Sequence, residues 1–195
     1  MKLILASKSP RRREILENLG VAFEIVTAET DESSTLTDPA SLVEELSQRK
    51  GRAVLEKLKS QGRDLSDTVI LSSDTVVEVD GCILGKPKDA DDAHRMLRSL
   101  SGRAHRVVSG ICLIGQGKEG KAHEVTEVVF DELDDETLDA YVQAAKPYDK
   151  AGAYAIQGLA SAYISGIRGC YFNVVGLPVH RLCQLYRTLF GENFL

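Results

Sequence analysis

TVILSSDTVVEVDGCILGKP, residues 68–87, is the stretch that decides the fold. Residues 68–71 read as a central strand, with Val69, Ile70 and Leu71 apolar in succession. Residues 75–79 read as the next strand, after a polar break at Ser72, Ser73 and Asp74. Asp80-Gly81 is a hairpin pair, and CILGKP is the returning arm.

Working outward, residues 2–6 form a second buried strand. Ser9 is placed to cap a helix with Pro10 at its first position, where the missing N–H costs nothing. Ile15, Leu16 and Leu19 give that helix an apolar face, and Gly20 suits its end. AFEIVT (residues 22–27) alternates like a strand. Asp38-Pro39 opens a long helix carrying Leu42, Val43, Leu46, Val54, Leu55 and Leu58 at helical spacing, with Gly51 inside it. Downstream, Asp89 caps a helix that runs to Leu100 and closes at Gly102. HRVVSGICLI and HEVTEVVF are strands around the turn GQGKEG. Asp134 or Asp135 starts a helix through Ala145. SAYISGI and CYFNVVGL read as a hairpin, and a last helix after Pro178 buries Leu182, Leu185 and Leu189. This alternation predicts an α/β fold, a mixed twisted sheet with flanking helices. No GxGxxG follows the first strand, which excludes a dinucleotide-binding Rossmann unit. No repeat or linker divides residues 1–195, so one domain is expected.

Composition narrows the function. The chain has 195 residues, 43% hydrophobic and 27% charged, with a formal net charge of −5. A general nucleic-acid binder would be basic, so none is expected as partner. No run reaches the ~18 apolar residues of a membrane span. Cys82, Cys112, Cys170 and Cys183 lie far apart, and the four histidines lack metal-ligand spacing. Reduced thiols are expected, with neither a disulfide framework nor a zinc site.

Against that acidic background, ILASKSPRRREILENLG (residues 4–20) gathers Lys8, Arg11, Arg12 and Arg13 at the first strand-to-helix corner. Cations oppose the positive end of a helix dipole. A bound polyphosphate would offset that cost. Helix N–H groups, the Ser7 and Ser9 hydroxyls and arginine forks all suit phosphate oxygens. A solvated charged helix face would read the same way. Asp74 in SSDTVV sits where an apolar strand ends, a carboxylate suited to taking a proton from water or holding Mg²⁺, although an Asx-bonded turn residue has the same sequence. Glu29–Glu32 (ETDE) adds carboxylates on a loop. Lys86 precedes Pro87, which holds its backbone extended for a point charge on phosphate. KPYDKAGAYAIQG, residues 146–158, reads as a Pro/Gly-framed loop and short strand, in which the Gln157 amide offers donor and acceptor to a base edge. Phosphate-holding cations, carboxylates and a base-reading amide together suggest nucleotide chemistry.

The order of these segments resembles the Maf family of nucleotide pyrophosphatases. LILASKSPRR, Asp31-Glu32, LSQRKGRAV, SSDTVV, LGKPKDADDAHRMLRSLSGRAHRVVSG, DKAGAYAIQG and VVGLP carry the resemblance over nearly the whole chain. It implies a cytoplasmic α/β protein of two lobes around a central cleft, homodimeric, that hydrolyses nucleoside triphosphates to monophosphate and pyrophosphate with a divalent metal, Mg²⁺ or Mn²⁺. Carried over by motif, Ser7, Arg11 and Arg12 belong to the phosphate corner. Glu32, Lys50, Asp74, Lys86 and Gln157 belong to the catalytic cleft, with Asp74 as general base and Asp74 and Glu32 as metal ligands. Arg11, Thr75 and Gln157 match the dTTP/UTP branch. The resemblance also leaves room for 7-methyl-GTP as substrate, or for a nucleotide-binding regulator of septum formation. Lys50-Gly51 stands where the family has Lys-Ala.

Overall fold

The computed structural model describes residues 1–195. In chain order the elements are β1 (Lys2–Leu5), α1 (Pro10–Asn18), β2 (Phe23–Ile25), α2 (Pro39–Ser60), β3 (Thr68–Val79), β4 (Cys82–Leu84), α3 (Ala90–Leu100), β5 (Ala104–Gly115), β6 (Lys118–Phe130), α4 (Asp135–Ala145), β7 (Ile164–Arg168), α5 (Tyr171–Val175) and α6 (Val179–Phe190). The strands form one seven-stranded sheet in the order β2-β1-β3-β5-β6-β7, with β4 on β3. β1 runs parallel to β2 and β3, whereas the β3–β4 and β6–β7 pairs are antiparallel. The fold is therefore the expected mixed α/β sheet with helices.

Local chemistry sets most boundaries as the sequence predicts. Asp38, Asp89 and Asp134 each accept a hydrogen bond from the backbone N–H three residues on, closing the first turns of α2, α3 and α4. The β3–β4 turn places Asp80 and Gly81 at φ 53° and 76°, the left-handed pair that a two-residue hairpin demands.

Five expectations are corrected. Residues 68–79 are one strand, because the polar break never leaves the sheet. Ser72 and Ser73 are completely buried there. The Ser72 hydroxyl donates to the Ser47 carbonyl at 2.6 Å, and that of Ser73 to the Gly176 carbonyl at 3.0 Å. Paired hydroxyls can stay in a core strand. The Ser9 side chain caps nothing; its backbone N–H donates to Ser7 Oγ at 3.2 Å. CYFNVVGL is not a strand, since residues 171–175 are helical. Asn173 there donates from its side chain to Val107 O and Thr126 Oγ1, both at 2.9 Å, in place of a sheet ladder. The segment around Gln157 is two short 3₁₀ turns, Ala151–Ala153 and Leu159–Tyr163, and not a strand. On α6, Leu182 and Tyr186 are buried, while Leu185 and Leu189 are half-buried.

The chain divides into two compact units. The first comprises residues 1–74, 109–124 and 176–195. Its core joins Ile4, Ile70, Val54, Leu58, Cys112 and Ile114. All four cysteines are free thiols. Burial pushes the Cys112 thiol up to about 12 and leaves it inert. Helix α2 approaches the strands unusually closely. A Cβ on Gly110 would lie 2.3 Å from the Val43 carbonyl oxygen, and one on Gly51 would lie 2.9 Å from Ser72 Oγ.

The second unit comprises residues 75–108 and 125–175. Its core includes Val77, Leu97, Val107, Phe130, Leu138 and Tyr154. His105 is buried in this unit, 3% exposed. Burial lowers its pKa to about 4.

Two outcomes follow from this packing. Gly110→Ala forces a methyl into a backbone carbonyl and should cost about 1–3 kcal/mol, read as a lower melting temperature. Gly51→Ala should cost less, because the Ser72 and Ile114 side chains it meets can turn aside. Equal melting of Gly110→Ala and wild type would refute the close approach. Independently, His105 is neutral when folded and titrates near 6.5 when unfolded. The unfolded chain therefore binds the extra proton between pH ~6.5 and ~4, so stability falls as pH drops through that window and levels off below it. Denaturant melts at pH 7, 5.5 and 4 should lose a slope contribution in His105→Leu. An unchanged slope would remove His105 as its source.

Candidate functional site

The first unit gathers most of the charges singled out in the sequence. α1 begins at Pro10, so Arg11 and Arg12 occupy its first turn, where no acidic residue balances them. Arg12 turns inward. Its Nε donates to the Gly176 carbonyl at 2.7 Å, and Nη1 donates to Ser7 Oγ at 3.1 Å. Burial lowers its pKa to about 10, with Asp74 pulling the other way, so it stays charged at neutral pH. Ser7 Oγ accepts from both Ser9 N–H and Arg12. With its lone pairs engaged, the Ser7 O–H proton is the group left to donate. Arg13 does point outward, in an i,i+4 pair with Glu17 at 2.7 Å. Lys8 is exposed and Arg11 half-buried.

At the centre is Lys50. One side of α2 delivers its ammonium to Asp74 Oδ1 at 2.5 Å and to Glu32 Oε1 at 2.7 Å. Asp74 lies in the middle of β3, not at a strand end as expected. Its side chain is 13% exposed, against 53% for Glu32 on its loop. Asp31 turns away and accepts from Ser33 N and Oγ. Glu29 joins none of these pairs. Arg12 feels the charges of both Asp74 and Glu32. Two carboxylates thus share one ammonium beside a half-buried guanidinium, a balanced cluster in a partly dry setting. Such a cluster can exchange partners when a strong anion arrives.

Three more predicted residues belong to the second unit. Thr75 follows Asp74 on β3 and is half-buried. Lys86 is exposed, ahead of the buried Pro87. Gln157 is exposed, between two short 3₁₀ turns. His, Cys, Asp and Glu side chains nowhere assemble three at a time into a cage for a metal ion.

The Maf-like family model matches residues 2–189. The chain belongs to the Maf family. Curated relatives of this Maf chain agree in length as well as in sequence. The dTTP/UTP pyrophosphatase of Alkaliphilus oremlandii is 45% identical over 197 aligned positions, covering 100% of this chain and 99% of its own. That of Symbiobacterium thermophilum is 47% identical, with 97% and 94% covered. That of Thermococcus kodakarensis is 44% identical, with 94% of each covered. Among solved structures, the Ham1 protein of Staphylococcus aureus aligns with a TM-score of 0.48 at 12% identity, over 67% of this chain and 72% of that one.

Motif reading of the Maf chain missed two supports of the cluster. The Gly176 carbonyl accepts from both Arg12 and Ser73. Ser72 ties β3 to α2 through Ser47. The only sequence signals for them were VVGLP and the doubled serine before Asp74. A direct check of the Maf corner uses inorganic tripolyphosphate. Arg12→Ala should weaken its binding at least ~tenfold by calorimetry, the loss of one charge-assisted contact, and added salt should weaken wild type too. Arg13→Ala should stay within about twofold, as befits an exposed pair. Wild-type affinity in Arg12→Ala would make the corner a mere charged helix face.

Proposed function

We propose that this chain hydrolyses nucleoside triphosphates, dTTP and UTP in preference, to the monophosphate and pyrophosphate. The observation that carries the reading is the Lys50 ammonium shared by Asp74 and Glu32, beside the Ser7–Arg12 corner. Relatives at 44–47% identity that bear the name dTTP/UTP pyrophosphatase support it.

In this reading the triphosphate competes with the two carboxylates for Lys50. Ser7 O–H, Arg11, Arg12 and Lys50 hold phosphate oxygens, and Lys86 adds a further point charge. Asp74 then accepts a proton from the water that attacks the α-phosphorus. The bond from that phosphorus to the bridging oxygen breaks, and pyrophosphate leaves as an anion held by cations. Thr75 and Gln157 read the base. The Gln157 amide pairs donor to O4 and acceptor to N3–H of uracil or thymine.

The donor chemistry fits a divalent metal. Asp74 and Glu32 already converge on one cation, and two carboxylates completed by phosphate oxygens are what a hard ion such as Mg²⁺, or Mn²⁺ in its place, accepts. When bound, such an ion neutralises charge developing on the phosphates. No helix is long and apolar enough to cross a membrane. The reading carries with it a cytoplasmic homodimer acting on free nucleotides rather than nucleic acid.

Pyrophosphate release with Mg²⁺ tests this on UTP, dTTP, ATP, GTP and 7-methyl-GTP. UTP and dTTP should exceed ATP and GTP in kcat/KM by at least ~tenfold, about the value of one unpaired base-reading group. Asp74→Asn should lower kcat by about 10²–10⁴ with the fold intact. A preference for 7-methyl-GTP would overturn the base choice. No release from any nucleotide would overturn the enzyme.

A further inference from the structure

We propose that His105, through its hydrogen bond to Tyr154, is a positioning residue for Gln157: the buried pair sets the path of residues 150–158 and thereby the choice of nucleotide base. The inference rests on the base-reading role proposed above for Gln157.

His105 Nε2 and Tyr154 Oη lie 2.6 Å apart, while Nδ1 has no partner. The surroundings are aromatic. The His105 ring meets Phe130 edge-to-face at 5.1 Å between centroids and Tyr154 at 5.3 Å, and Phe130 and Tyr154 stand 4.8 Å apart. An imidazole in such a place costs desolvation and leaves one nitrogen unpaired. Leucine or phenylalanine would fill the space without that cost. What the polar pair adds is a fixed distance and direction between β5 and Tyr154, which apolar packing does not impose.

The chain on either side of Tyr154 turns that fixed point into a fixed path. Gly152 and Ala153 take left-handed conformations, φ 66° and 62°. Gly152 N–H donates to the Gly85 carbonyl at 3.0 Å, directly before Lys86. A Cβ on Gly152 would stand 2.9 Å from Val77 Cγ2, so the backbone is wedged against β3 as well. Tyr154 is therefore the third anchor of a short segment, after the contacts to Gly85 and Val77. It is itself extended, at φ −147° and ψ 166°. Ile156 is buried and Gln157 exposed. Three residues span at most ~10 Å, so displacement at Tyr154 passes directly to the Gln157 amide. All three anchors lie within the second unit. Loss of the pair should change base selection while leaving the chemistry of Asp74 in place.

The test compares wild type, Tyr154→Phe, His105→Gln and the double variant His105→Leu/Tyr154→Phe. Two readouts are used: amide hydrogen exchange over residues 150–158, and the UTP-to-ATP ratio of kcat/KM. Tyr154→Phe strands both imidazole nitrogens and should melt lower. The double variant removes the stranded groups and should recover much of the melting temperature. Exchange over 150–158 should nevertheless be about tenfold faster in both, the worth of roughly one hydrogen bond. The UTP-to-ATP ratio should fall several-fold, through KM for UTP more than through kcat. His105→Gln, which keeps a hydrogen-bonding group, should retain most of the protection and of the ratio. A double variant with wild-type exchange overturns the proposal, as does faster exchange with an unchanged nucleotide ratio. If wild-type protein releases pyrophosphate from no nucleotide, the proposed function fails by itself. Exchange in the double variant then decides whether the pair anchors the segment.

Discussion

The distance between α2 and the strands beneath it is the constraint on which the first unit depends. Lys50 reaches Asp74 and Glu32 only because α2 lies almost in backbone contact with β5 and β3. Gly110 leaves no room for a side chain against Val43, and Gly51 leaves none to spare against Ser72. The Ser72 hydroxyl then pins the helix by donating to Ser47 O at 2.6 Å. A helix interior ordinarily disfavours glycine by about 1 kcal/mol relative to alanine. At Gly51 that loss accompanies a close approach that helps bring an ammonium to two carboxylates.

Electrostatics completes the picture. Arg12 sits in the first turn of a helix, against the dipole and largely out of water. It tolerates this through the Gly176 carbonyl, Ser7 and the field of Asp74. The cluster holds its cations and carboxylates in near balance, so neither set is stranded. That balance also makes it responsive, since a highly charged anion can draw Lys50 and Arg12 toward itself.

The second unit solves a different problem. Its exposed Lys86 and Gln157 lie on irregular backbone, which has no ladder to hold it. Gly152 against Val77 and Gly85, and Tyr154 against His105 and Phe130, supply rigidity from beneath. Irregular segments that must hold a side chain precisely need such buried anchors, and here one of them is polar.

The sequence by itself determined the elements whose cause is local. Asp38, Asp89 and Asp134 cap because a short carboxylate reaches an N–H three residues away, and Asp80-Gly81 turns because two residues must adopt positive φ. Periodicity was enough for α2 and for most of the strands, and residue chemistry was enough to single out Ser7, Arg12 and Asp74, whereas Lys50 was marked only by the resemblance to the Maf family. Only the tertiary structure decided the rest. Ser72 and Ser73 read as a break, yet β3 runs through them, because their partners lie 25 and 103 residues away. Residues 171–175 read as a strand and are helical, because Asn173 bonds to residues 66 and 47 positions distant. The choice of Glu32 over Asp31 as the partner of Lys50, and the inward turn of Arg12, rest on the same physics. A hydrogen bond or ion pair depends on distance in space, and separation along the chain does not disclose it.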